Sequence, residues 1–300
     1  MKQKLILLFI LLTLAYNGLR DKSQYAVSIM PTVLYNTEDI FQAYKMVDGE
    51  LIAKDKSGLV REIEAQTFPG TSWKINRAIN VNGVDVYEAQ TNEYWDTPDD
   101  WYFYIDSRAV KLVTGKPSPR KLVLPSKATM LRRLDQIRKQ TEEELIPYIW
   151  GGNILEGIDE NIALYGSACE FSKLNRNDQK QFLLQGLDCT GLLYYITDGY
   201  TPRNSSWLRT FGDGLKIEDK NIDEVIAMTK PLDIVVHQGH IFIVLDKEST
   251  IESRLSKGGG VVITPIKERF EEVFATKVPL NHAPQGSSES SWFVIRRFAE

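Results

Sequence analysis

The stretch "QGLDCTGLLYYITDG", residues 185–199, holds Cys189 between Asp188 and Thr190, with Gly186 and Gly191 close by. The apolar run Leu192–Ile196 follows at once, which puts Cys189 in the first turn of a helix. Unpaired backbone N–H groups there favour negative charge, so a lowered thiol pKa is expected, with Gly191 leaving the sulfur open to approach. A nucleophilic thiol needs a base. The three histidines are His237, in the turn "HQG", His240, which opens the apolar strand "HIFIVL", and His282, in the polar loop "NHAPQGSS". His240 is the preferred base because a strand holds it rigidly, although a strand-end histidine without a role fits the same pattern. Glu252, in "TIESR", could orient the imidazole. In a hairpin the two share a face only if the connecting loop has an odd number of residues, and even then they sit offset along the strands. Asp188 is also a good helix cap, and Tyr148 and Trp150 of "IPYIWGG" suit core packing as well as chemistry.

These residues need elements to hold them. Ser126 starts a helix in which Ala128, Leu131, Leu134 and Ile137 recur at helical spacing, ending near the acidic cluster Glu142–Glu144. Strand signals then come at 233–236, 240–245, 249–253, 261–266 and 291–298. Helices followed by an antiparallel-looking sheet argue for an α+β domain. The prolines of "GKPSPRK", residues 115–121, mark a linker. Before it the chain reads as β: "AINVNGVDVYEA" places Asn82-Gly83 between β-branched runs, a hairpin signal, and "WYFYIDSRAVKLV", residues 101–113, is a further strand. Several short strands in this span suggest a small barrel.

The chain has 300 residues, enough for about two domains, and a net charge of −4, so nothing basic enough for nucleic acid stands out. "MKQKLILLFILLTLAYNG" joins a short basic head to an apolar run that is too brief for a membrane anchor, and residues 1–18 read as a secretory signal. No later segment is apolar enough to span a membrane. Two cysteines in a chain of this size are no disulfide framework, so a lone reactive thiol with an incidental Cys169 is expected rather than a Cys169–Cys189 bridge. No metal or cofactor is expected, and a monomer is.

In order, "PYIWGG", "GLDCTGLLYY", "PLDIVV", "GHIFIVLD" and "IES" resemble the NlpC-type family of papain-like cysteine peptidases that cut bacterial cell-wall peptides. The resemblance covers about residues 126–266, and the run "WYFYIDSRAV" is similar to the closing strand of bacterial SH3-like domains that accompany some members. It implies a signal at 1–18, an SH3-like β domain at 24–114, a linker at 115–125 and a papain-like catalytic domain at 126–300, exported to the periplasm or cell wall. It implies catalysis by Cys189, His240 and Glu252 at the bond between γ-D-glutamate and a diamino acid in peptidoglycan stem peptides. Tyr148 would polarise or orient the substrate, and Arg203, Ser205 and Ser206 of "TPRNSSW" would line the groove. Asp188 would hold a free L-alanine amine, with Thr190 adding a hydroxyl contact. The alternatives are an inactive wall-binding protein and a muramoyl-alanine amidase on the same fold. The sequence departs from the family's pattern at Leu232, where Gly is common, at Glu252, where His is frequent, and in the long connection 153–185.

Overall fold

The computed structural model describes residues 24–94, 100–166, 168–256, 259–284 and 291–299. The segment read as a signal and the side chain of Cys169 lie outside the described residues. The first part of the chain forms a seven-stranded antiparallel sheet from β1 (Gln24–Ser28), β2 (Thr32–Tyr35), β3 (Ile63–Thr67), β4 (Ser72–Val81), β5 (Val84–Gln90), β6 (Phe103–Asp106) and β7 (Val110–Val113). Their order is β3-β2-β6-β5-β4-β1-β7. The β4–β5 hairpin turns at Asn82 and Gly83, with φ of 51° and 83°, a left-handed pair that Asn and Gly adopt at least cost. The span 101–113, read from sequence as one strand, is two. Asp106 accepts from the Arg108 backbone N–H, caps a single 3₁₀ turn at Ser107–Ala109 and redirects the chain to pair with β1.

No helix or strand lies between Val113 and Lys127. Arg120 in that connection pairs with Glu93 at 2.9 Å and donates to the Asp198 carbonyl at 3.0 Å, tying both parts to it. Helix α1 (Lys127–Glu143) begins at the Ser126 cap. Its buried side chains are Met130, Leu134 and Ile137; Ala128 and Leu131, expected inward, are exposed and half-buried, because the inward stripe is set by Met130 rather than its neighbours. After several short helices comes α2 (Cys189–Ile196), and then a second sheet. Its strands are β8 (Asp213–Gly214), β9 (Ile234–His237), β10 (His240–Val244), β11 (Ser249–Arg254), β12 (Gly260–Pro265), β13 (Val278–Pro279) and β14 (Trp292–Arg297), with α3 (Ile266–Phe274) between β12 and β13. The order is β8-β14-β9-β10-β11-β12, antiparallel throughout, with β13 parallel to β14 at the side.

This sheet is covered on both faces, which explains why β9, β10 and β14 read as unbroken apolar runs. Ile234, Val236, Ile241, Ile243 and Val294 pack with α1 and α2, while Val235, Phe242, Val244, Phe293 and Ile295 pack with Phe270 and Val273 of α3. The molecule is therefore α+β. A further core belongs to both parts of the chain: Tyr35, Ile40, Tyr44 and Ile63 pack with Ile149, Ile158, Phe182 and Leu184.

Candidate functional site

Cys189 is the first residue of α2, as its sequence context predicts, and it is a free cysteine, 8% exposed. Gly191 has a different task from keeping the sulfur open. A Cβ there would collide with the Gly152 carbonyl oxygen, so the glycine lets the helix start press against the "WGG" turn. The thiol also departs from expectation. Burial pushes its pKa up to about 12, with the nearby Asp188 carboxylate adding to the rise; the charge of Arg203 and backbone hydrogen bonds from Ile241 and Thr190 only partly oppose it. Desolvation of the sulfur outweighs the helix terminus, and the resting group is a protonated thiol.

Asp188 is the cap of α2, accepting from the Gly191 N–H at 2.7 Å. Its carboxylate also accepts from the Gly151 N–H at 3.1 Å and the Thr190 hydroxyl at 3.0 Å. Arg203 closes on both oxygens and is itself only 4% exposed, so this is a buried, bidentate ion pair. Arg203 further donates to Thr190 Oγ1 at 2.6 Å and to Asn153 Oδ1 at 3.1 Å. Asn153 in turn exchanges hydrogen bonds with Gln66 of β3, accepting from its N–H at 3.0 Å and donating to its side-chain oxygen at 2.7 Å. A continuous polar chain thus runs from the first sheet to the turn that carries Cys189. Ser205 is half-buried and Ser206 exposed, both in a short helical turn, and neither hydroxyl makes a hydrogen bond among the described residues.

Ile241, whose backbone lies near enough to the thiol to lower its pKa, follows His240 directly on β10. The β10–β11 register pairs Val244 with Thr250 and leaves residues 245–249 between them, an odd number, so His240 and Glu252 do share a face. They meet diagonally: His240 Nε2 lies 2.6 Å from Glu252 Oε2. This leaves Nδ1 for another partner. Glu252 is fully buried. Burial alone would raise its pKa; the His240 hydrogen bond and the Arg269 charge outweigh it and hold the carboxyl below its ordinary value. Arg269 Nη2 donates to Glu252 Oε2 at 3.0 Å, and Arg269 Nε and Arg254 Nη1 lie 2.7 Å and 3.2 Å from Oε1 as ion pairs outside hydrogen-bond geometry. His237 stands across the turn, its ring centroid 5.4 Å from that of His240, and burial drives its pKa down to about 3. His282 is exposed in a loop, as read.

Tyr148 is bridged to Leu187 and lines a groove with His240. Burial, followed by the charges of Asp188 and Cys189, raises its phenol pKa and keeps it a proton donor. Trp150 donates to the Ile63 carbonyl at 2.8 Å and carries Arg61 over its ring, so it fastens the site to β3.

Sequence reading missed four residues around this site. Arg254 and Arg269 enclose Glu252, yet Arg269 sits in "KERFEEVF", which reads as a solvated helix face. Glu64 accepts hydrogen bonds from the Tyr94 hydroxyl and from Asn36 Nδ2, and Tyr94 also accepts from Asn204, the neighbour of Arg203. Glu64 comes from β3 and Tyr94 from the turn after β5, and only the fold brings them near. Among the described residues no group of His, Cys, Asp and Glu could hold a metal ion, and no helix is long and apolar enough to cross a membrane. No protein-family profile matches the chain, and no curated protein is significantly similar to it.

Proposed function

We propose that the protein is an exported cysteine endopeptidase of the NlpC type, with a papain-like catalytic domain and an SH3-like partner domain, acting on the γ-D-glutamyl–diamino acid bond of peptidoglycan stem peptides. The observation that carries the reading is the His240 imidazole held at 2.6 Å by a buried, ionised Glu252, with the thiol of Cys189 at a helix start, near enough to the backbone of the next residue, Ile241, for that backbone to lower its pKa. Because the thiol rests protonated, attack on the carbonyl carbon must be coupled to transfer of its proton to His240. The positive charge then on the imidazole is balanced by Glu252. His240 returns the proton to the leaving nitrogen as the C–N bond breaks, and water releases the acyl group from sulfur by the same steps in reverse. The Cys189 backbone N–H and the Tyr148 hydroxyl would be the donors that stabilise the oxyanion.

A free L-alanine amine remains part of the proposal, but its carboxylate partner needs revision. Asp188 is already neutralised by Arg203. Glu64 feels the charge of Arg203 but makes no ion pair among the described residues, and with Tyr94 and Asn36 as its hydrogen-bond partners it is the second candidate to meet an ammonium.

The test is digestion of defined muropeptides with the products weighed. Wild type should release L-Ala-γ-D-Glu. Cys189→Ala should fold and cut nothing, and His240→Ala should lose on the order of 10²–10⁴-fold in rate while His237→Ala stays close to wild type. Release of free L-alanine-linked peptide from muramic acid would instead identify an amidase. A second reading, wall binding without catalysis, has the raised thiol pKa in its favour; binding of muropeptides with no product from any of them would establish it.

A further inference from the structure

A groove of about 520 Å³ is lined by His240, Tyr148, His237, Arg254, Arg269 and Lys277. Its charges do not cancel. Arg254 and Arg269 are matched by two carboxylates, Glu252 beneath and Glu272, which lies 3.2 Å from each guanidinium. Lys277 makes no ion pair among the described residues, and it stands close enough to His237 to help depress that imidazole. With His237 neutral, Lys277 is the cation left over among the described residues that line the groove.

The position of that cation relative to the chemistry gives it meaning. In an acyl transfer the base that takes the thiol proton must hand it to the leaving nitrogen, so the leaving amine lies on the imidazole side of the sulfur. The groove is lined by His240, and neither the Asp188–Arg203 pair, at the start of α2, nor Glu64 is among its lining residues. We propose that this groove is an anion subsite for the leaving half of the substrate, and that Lys277 selects a leaving amino acid whose α-carboxylate is free rather than continued as an amide. The inference rests on the peptidase reading for its substrate, while the groove itself can be probed without it. It makes the protein a trimmer of short peptide ends, since in a chain that continues beyond the diamino acid an uncharged amide takes the place of the α-carboxylate that Lys277 would meet.

Two measurements on the full chain test this. The first compares alkylation of Cys189 by iodoacetate and by iodoacetamide, each relative to a free cysteine peptide. Wild type should favour the anionic reagent by about five- to tenfold, and Lys277→Ala should abolish the preference. The second compares hydrolysis of L-Ala-γ-D-Glu-L-Lys with its C-terminal amide, which differ only in the α-carboxylate. The acid should be preferred by a similar factor in kcat/KM, the preference should vanish in Lys277→Ala, and Lys277→Glu should favour the amide. An iodoacetate preference that depends on Lys277 supports the subsite even if no peptide is cut, in which case only the peptidase reading falls. Equal handling of the two reagents, or of acid and amide by an active enzyme, overturns the subsite, and so does a preference that survives in Lys277→Ala.

Discussion

Glu252 carries more than the orientation of an imidazole. It is the shared counterion of Arg254 and Arg269, all three being buried. Replacing it by glutamine keeps an acceptor for His240 but leaves Glu272 as the one carboxylate paired with the two guanidiniums among the described residues. Glu252→Gln should therefore cost about 3 kcal/mol of stability, the usual scale for removing one partner of a buried pair. Its pH signature follows from the lowered pKa. A carboxyl held below its unfolded value of about 4.3 contributes stability above that pH and loses it as pH falls through the folded value. Urea unfolding between pH 3 and pH 6 should show wild type losing stability on acidification through this group and the variant lacking that share. Variant and wild type with parallel curves and equal midpoints at pH 6 would show that the arginine cage contributes nothing.

Among the elements, α2 is held by close backbone contact as much as by its apolar face. The Gly152 carbonyl accepts from the Asp188 N–H at 2.9 Å, in the space a side chain at position 191 would need. Gly191→Ala must push the helix start off that turn, and a loss of about 2–3 kcal/mol is expected, of the order of an overpacked core site. Thermal unfolding checks the stability, and cleavage measured well below the new midpoint should fall as well, because Cys189 moves with the turn. An unchanged Tm would mean the turn yields without cost. Much of this was legible in the chain. The strand runs of the second sheet, the Asn82-Gly83 turn, the Ser126 cap and the helix after Cys189 are set by local pattern, and the odd loop between their strands lets His240 and Glu252 meet. What the sequence hid depends on depth or on pairing across the chain. The burial that raises the thiol, the capture of Asp188 by Arg203, and the guanidiniums around Glu252 follow from how elements stack, which no local spacing encodes. Leu232 is a case between the two. The departure from glycine was visible, and the structure places it at φ 78° with its side chain buried, so packing holds a leucine where the backbone favours glycine.

At the scale of the whole molecule, the first sheet is a wall of the site and not an appendage. Gln66 reaches Arg203 through Asn153, Trp150 is bonded to β3, and Tyr35, Tyr44 and Ile63 complete the core around Ile149, Ile158 and Phe182. A fragment of residues 115–300 should thus be poorly soluble and lack a sharp unfolding transition, while the intact protein unfolds in one step. A soluble fragment with its own cooperative melt would show that the shared core is dispensable. The division of that core also sets a schedule for synthesis. A ribosome adds about 5–20 residues per second. Tyr35, Tyr44 and Ile63 are made early, yet the partners that cover them arrive only between residues 149 and 184. For several seconds each new chain presents an open apolar surface to every other chain nearby. Crowding of nascent chains, chaperone supply and growth temperature would then decide how much protein is recovered, and substitutions along this seam would lower yield before they lowered the melting point of the molecules that succeed in folding.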